Sequence, residues 1–175
     1  MYICLVIFLT MKIVIAGGGE VGFHLAKLLS FEALDITLID IDKERLHYAE
    51  SHLDIKTLRG NALSISMLKE ALVAQADLFI AVTSLEATNI TLAGMAKQLG
   101  AKRTIARISN LEFSQPDQDI DFKSMGVDEL ISPEELTALE IQQLLDQSAF
   151  TNYWPRYCTS NACRGTKKNQ QKKTQ

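Results

Sequence analysis

Lys12-Ile13-Val14-Ile15-Ala16-Gly17-Gly18-Gly19-Glu20-Val21-Gly22 is the stretch that decides the fold. A short, nearly all-apolar run leads straight into glycines. Such a run suits a central parallel strand buried on both faces. The glycines at 17, 19 and 22 spell G-x-G-x-x-G, and Val21 to Ser30 then reads as a helix. By itself the glycine pattern is generic. Here a strand precedes it, a helix follows, and the next strand ends on an acid. Asp40 lies 18 residues beyond Gly22, near the spacing of about 20 expected of a dinucleotide-binding turn.

Each residue of the turn has a physical task. Gly17 permits the tight passage from strand to helix. Gly19 has no side chain to keep a pyrophosphate from its backbone, and Gly22 lets the helix pack close to the sheet. Amides at the helix start, from Gly18, Glu20 and Val21 onward, attract phosphate together with the helix dipole. The Asp40 carboxylate suits the two ribose hydroxyls and repels a 2′-phosphate. The expected ligand is therefore NAD, NADH or an adenine nucleotide such as ATP or ADP, rather than NADP.

Working outward, strands are expected at Ile36–Ile39, Ile55–Leu58, Leu78–Val82, Thr104–Ile108 and Glu129–Ile131. Helices are expected at Asp42–Ser51 with Asp42 as N-cap, at Ser64–Val73, and at Glu86–Leu99 closed by Gly100. Ser132-Pro133-Glu134-Glu135 combines a capping Ser, a Pro in the first turn and a Glu three residues after the cap, so it opens a helix running to about Gln147. Six strand–helix alternations give an α/β fold, a doubly wound parallel sheet of Rossmann type with helices on both faces. The polar stretch through Asp121 reads as a loop with a short helix.

Three segments follow. Residues 1–10 read as an extension ahead of Met11. They are apolar, but a spanning helix needs about 20 residues. Residues 11–149 form the nucleotide-binding domain, and 150–175 a basic tail without apolar periodicity, expected to hold no stable structure. That tail has six basic residues (Arg156, Arg164, Lys167, Lys168, Lys172, Lys173) and no acid. The chain has 18 basic and 21 acidic residues, so positions 1–150 hold 12 against 21, a net of −9. An acidic body argues against nucleic acid as a partner. Cys4, Cys158 and Cys163 lie outside the patterned region, as in a cytosolic domain that needs no disulfide, and their spacing does not suggest zinc.

Other strand ends supply candidates. Asn61 and Ala62 follow the third strand, where Asn61 has two readings, a contact to adenine or ribose and plain turn chemistry. Thr83 and Ser84 follow the fourth strand, and Glu86 and Asn89 open the next helix. These are placed to meet the far half of a dinucleotide or the terminal phosphates of ATP. For Thr83 and Ser84, helix capping is the competing reading. Arg107 sits in an apolar strand and needs an anionic partner, whether a phosphate, a carboxylate such as Glu86, or a neighbouring subunit. His24, His47 and His52 lie on or beside helices, away from the strand ends, and read as packing or surface residues.

The segment Met11–Gly22 closely resembles the start of the TrkA-type regulatory subunits of bacterial Trk potassium uptake systems. So do Ile39-Asp40-Ile41-Asp42, Arg59-Gly60-Asn61-Ala62, Ala81-Val82-Thr83-Ser84, Glu86-Ala87-Thr88-Asn89, Ile105-Ala106-Arg107-Ile108 and Gly126-Val127-Asp128-Glu129-Leu130-Ile131-Ser132-Pro133. The resemblance implies an RCK or KTN N-terminal domain. Such domains bind NAD(H) or ATP and ADP, pair into dimers and rings, and gate a membrane potassium-translocating subunit from the cytoplasmic face. Carried over, the phosphate role falls on Gly17, Gly19 and Gly22 and the ribose role on Asp40. Asn61, Thr83, Glu86 and Arg107 match positions near nucleotide or dimer contact. Full TrkA subunits resemble two such units, each with a smaller ligand-sensing domain, and residues 11–149 match one. Ser84 and Leu85 depart from the acidic or polar pair common there.

A regulatory module is therefore expected, not an enzyme. An NAD-dependent oxidoreductase would need a substrate domain and a proton donor or acceptor near the nicotinamide. No Tyr-x-x-x-Lys pair is present, and no histidine lies near a strand end. An adenosyl-cofactor methyltransferase fits the turn and Asp40 less well, because Gly19 favours a pyrophosphate. Self-association is expected through the helix after Gly22, the helix Glu86–Leu99 and the helix from Ser132.

Overall fold

The computed structural model describes residues 10–114 and 120–147. The extension ahead of Thr10, the three cysteines and the basic tail lie outside those residues. Six strands are present, β1 (Lys12–Ala16), β2 (Asp35–Asp40), β3 (Lys56–Arg59), β4 (Leu78–Ala81), β5 (Arg103–Arg107) and β6 (Glu129–Ile131). They form one sheet in the order β3-β2-β1-β4-β5-β6, and every neighbouring pair is parallel. The strand order reverses between β1 and β4, the switch point outside which ligands bind in doubly wound folds.

The helices are α1 (Glu20–Leu29), α2 (Lys43–His52), α3 (Ile65–Glu70), α4 (Glu86–Leu99) and α5 (Pro133–Gln147). β1 explains why its sequence does not alternate. Ile13 and Ile15 join Leu38, Ile80, Ala26 and Leu46 on the α1/α2 face. Val14 and Ala16 join Phe79, Leu68 and Leu92 on the α3/α4 face. Both faces are buried, so both must be apolar. The chain divides into a unit ending at Glu135, which holds the whole sheet, and a second beginning at Leu136, whose described part is the rest of α5.

The expected caps are in place. The Asp42 carboxylate accepts from the N–H groups of Glu44 and Arg45. Gly100 ends α4 at φ 115°, where its N–H reaches the carbonyls of Ala96 and Lys97. Ser132 Oγ accepts the Glu135 N–H at 3.3 Å. The segment Ser64–Val73 departs from one continuous helix. α3 stops at Glu70, Leu72 takes φ 55°, and Val73–Gln75 form a 3-10 turn. Ala71 and Val73 are both buried, and the left-handed step at Leu72 brings both into the core before β4 begins.

β6 is a three-residue strand held on β5 by polar contacts. Asp128 accepts from Lys97 Nζ at 3.0 and 2.8 Å and from the Thr104 N–H at 2.8 Å. Burial pushes the Asp128 carboxyl upward, but the bonds from Lys97 and Thr104 outweigh it and hold it below the usual range.

Candidate nucleotide-binding site

The turn after β1 is built around contacts that only glycine allows. Gly17 adopts φ 113°, and a Cβ there would lie 2.9 Å from the Val82 carbonyl carbon and oxygen. A Cβ on Gly22 would lie 1.8 Å from the Gly17 carbonyl oxygen. The first turn of α1 is thereby pressed against the end of β1. Gly19 is different. It is the N-cap of α1, no side chain bonds to that cap, and a Cβ there would meet only the tip of Arg45 at 3.7 Å. The backbone at Gly19 is thus open to an approaching group, next to a helix N-terminus that favours negative charge.

Asp40 ends β2 beside this turn, and its side chain is 8% exposed. Its Oδ2 accepts the Gly18 N–H at 2.5 Å and its Oδ1 accepts the Asp42 N–H at 2.8 Å. One carboxylate therefore fixes both the glycine turn and the loop into α2. Each oxygen retains a second lone pair, which suits a pair of vicinal hydroxyls. Arg45 Nη1 stands 3.9 Å from Oδ2.

These groups line a cleft of about 450 Å³ at the carboxyl ends of the strands. In the order of the sheet, Asn61 and Ala62 follow β3, Asp40 and Ile41 end β2, Gly17, Gly19, Glu20 and Val21 follow β1, Thr83 and Ser84 follow β4, and Arg107 ends β5 at the far side. The size lies within the range of small-molecule sites. Backbone open at Gly19, the helix start and the Asp40 carboxylate fit the phosphates and ribose of a nucleotide. Among the described residues, no group of three or more His, Cys, Asp or Glu is placed to hold a metal.

The family model for the TrkA-N domain matches residues 13–133. The chain belongs to the TrkA-N family. It is 36% identical over 135 residues to a Trk system potassium uptake protein TrkA homolog of Methanothermobacter thermautotrophicus, covering 77% of this chain and 60% of that protein. It is 37% identical over 137 residues to the Trk system potassium uptake protein TrkA of Haemophilus influenzae, covering 77% of this chain and 30% of that one. The chain thus spans 30% to 60% of the length of these curated relatives. Among solved structures, the GsuK channel bound to NAD superposes with a TM-score of 0.62 at 26% identity, over 78% of this chain and 23% of that one. GsuK bound to ADP gives 0.61 at 25%, over 78% and 34%.

In this TrkA-N domain, Gly17, Gly19, Glu20, Val21, Asp40, Asn61, Ala62, Thr83 and Arg107 share the cleft wall. Gly18 and Gly22 are not on the wall. Gly18 donates to Asp40, and Gly22 sits against the Gly17 carbonyl. Glu86 also stands off the wall. Its Oε2 accepts the N–H groups of Ser109 and Asn110 at 3.0 and 2.9 Å, and those bonds, Asn110 first, lower its pKa. Asn61 Oδ1 accepts the Leu63 N–H at 2.9 Å, which is turn chemistry at the cleft edge. None of the three histidines lines the cleft.

Asn89 and Thr83 act differently from the sequence expectation, and Arg107 meets the expected carboxylate in a different glutamate. Asn89 is 1% exposed and its amide bridges two strand ends. Its Oδ1 accepts from Thr83 N–H and Oγ1 at 2.8 and 2.7 Å. Its Nδ2 donates to the carbonyls of Thr83 and Arg107 at 3.1 and 2.9 Å. All four positions of the amide are thereby used within the fold. Thr83 does not cap α4, whose N-cap is Leu85. Arg107 pairs with Glu134 rather than Glu86, through Nη2 to Oε1 at 2.9 Å. Arg45, on the cleft wall beside Asp40, is a residue that the sequence does not single out. Its sequence signal is slight: a cation five residues after the acid, on the first turn of α2.

Proposed function

We propose that this TrkA-N domain binds NAD(H), or ADP and ATP, in the cleft and serves as the nucleotide-sensing part of a potassium uptake system. Asp40 holds the ribose, while Gly17, Gly19, Glu20 and Val21 hold the phosphates. Asn61 and Ala62 meet the adenine side, and Thr83 and Arg107 the far end. The observation that carries this reading is the open backbone at Gly19 beside a carboxylate that keeps one lone pair on each oxygen. Related proteins support it. GsuK was solved with NAD and with ADP, and relatives are named as Trk potassium uptake proteins.

The domain acts without chemistry on its ligand. Occupancy shifts it between conformations, and only a difference in nucleotide affinity between them can drive a membrane partner. That partner is a potassium-translocating Trk subunit, met at the cytoplasmic face by a dimer or ring of this chain. No helix among the described residues is long and apolar enough to cross a membrane.

Calorimetric titration of the full chain with NAD⁺, NADH, NADP⁺, ATP and ADP tests the reading, alongside Asp40→Asn. Two hydrogen bonds to a charged acceptor contribute about 3 kcal/mol or more, so the variant should bind the preferred nucleotide about 100-fold more weakly. NADP⁺ should bind more weakly than NAD⁺. Failure of every nucleotide to bind would overturn the reading. Catalytic reduction of NAD⁺ with a small substrate would replace it with the oxidoreductase alternative.

A further inference from the structure

Gly60 lacks a side chain for want of space, not because of its backbone angle, which is not left-handed. A Cβ built on it would collide with Met67 Cε and lie 3.3 Å from Sδ and 3.5 Å from Cγ. The Met67 side chain thus occupies the place that a side chain at position 60 would take. Gly60 is itself part of the cleft wall, with Asn61 and Ala62. Its N–H donates to the Asp40 carbonyl at 2.9 Å. A continuous line of contact therefore runs from a thioether on α3, through the turn after β3, to the end of β2 that carries the Asp40 carboxylate.

Met67 stands at the margin of the core. It packs against the buried cluster of Leu68, Phe79 and Ile39, as Leu58 and Ala62 do, yet it is only half-buried. A small oxidant can reach it, while its contact with Gly60 is closed to anything larger than the methyl now there. Oxidation by a peroxide is a two-electron step. A lone pair on Sδ attacks one peroxide oxygen, the O–O bond breaks, water leaves, and the thioether becomes a sulfoxide. The product is bulkier and polar, and its new oxygen seeks a hydrogen bond where the neighbours are apolar.

We propose that Met67 is a redox modification site, whose oxidation by a peroxide displaces the Gly60 turn and loosens the cleft beside Asp40. This rests on the nucleotide reading of the cleft and adds a regulation to it. Reduction of the sulfoxide by methionine sulfoxide reductases makes the change reversible. Met11 and Met125 are exposed and take up oxygen as well, but neither lines the cleft.

The test treats the full wild-type chain and Met67→Leu with hydrogen peroxide, then with dithiothreitol to return oxidised cysteines to thiols. Peptide mass spectrometry locates the added oxygen, and NADH and ADP are titrated before and after. Leu conserves the volume of Met, and a circular dichroism melt checks its folding. Treated wild type should bind both nucleotides about tenfold more weakly, and methionine sulfoxide reductases should restore it. Treated Met67→Leu should stay within about threefold of its untreated affinity. Absence of added oxygen at Met67, unchanged affinity once Met67 is oxidised, or equal weakening in both chains would overturn the proposal. If Met67→Leu does not fold, the reductase decides: a loss of affinity that persists after Met67 is reduced would also overturn it. The two readings fail separately. If nucleotides bind and depend on Asp40 but ignore Met67 oxidation, only the redox site is wrong. If none binds the untreated chain, the nucleotide reading is wrong, and hydrogen exchange at the Gly60 amide judges the redox site alone. Faster exchange after oxidation supports it, and unchanged exchange overturns it.

Discussion

Replacing Asn89 with Ala should damage the fold first and the cleft as a consequence. The amide makes four hydrogen bonds from a position 1% exposed. Their loss is not uniform. The Thr83 hydroxyl keeps a contact with the Leu85 carbonyl at 3.3 Å. Thr83 is half-buried and water can reach part of what it loses, so those bonds count at the ordinary net value of about 1 kcal/mol each. The Arg107 carbonyl loses a partner within the sheet edge and costs about 1–3 kcal/mol. The total is about 3–5 kcal/mol, a large share of the 5–15 kcal/mol typical of a domain. The melting temperature should fall by about 10–15 °C on the usual scaling for this size. Urea or thermal denaturation followed by circular dichroism measures it. Thr83 and Arg107 form the far end of the cleft, so nucleotide affinity should fall in step with stability. A variant that keeps wild-type stability while losing nucleotide binding would refute this reasoning. It would make Asn89 a ligand contact, not a clamp.

The glycines give a paired prediction. Gly22→Ala drives a methyl to 1.8 Å from a backbone oxygen and should cost about 3 kcal/mol or more in a thermal melt. Gly19→Ala has room, so its stability should change by no more than about 1 kcal/mol, while nucleotide titration shows at least a tenfold loss. Equal melts for the two variants would show that the turn is not built as described. Asp128 gives a pH prediction. Its folded carboxyl titrates below the unfolded value, so its contribution is fully present above about pH 4 and is lost as pH falls through the folded value. Melts between pH 7 and 3 should show Asp128→Asn less stable than wild type at neutral pH and losing less on acidification. Parallel curves would remove Asp128 as a source of acid sensitivity.

The elements were legible because each left a local mark. β1 showed as an apolar run ending in glycine, α4 as a helix bounded by Gly100, and α5 as the Ser132 cap with Glu135. The end of the third helix is not legible, because its break depends on a left-handed Leu72, a conformation that no Gly or Asn announces. The cleft was legible where chemistry follows chain order, at Gly17–Gly22 and Asp40. It was not legible where partners meet through the sheet. Two glutamates lay within plausible reach of Arg107. The β5–β6 register sets Arg107 against Ile131, three residues before Glu134, and Glu86 is occupied by Ser109 and Asn110. Pattern alone does not supply that register. The burial of Asn89 is likewise invisible in the sequence, because it depends on two strand ends meeting over it.

The cleft residues divide by how much of their bonding capacity the fold consumes, and this division locates ligand specificity. Asn89 is saturated and Glu86 is turned to a loop, and neither lines the cleft. Asp40 is half consumed. Its two backbone bonds fix its orientation before any ligand arrives, which lowers the ordering cost of the ribose contact proposed for its two remaining lone pairs. Arg107 is the least consumed, with one exposed partner and one vacant donor. On the proposed reading, the ribose end is held by the rigidly placed Asp40, while the opposite end is held by Arg107, whose partner Glu134 is exposed.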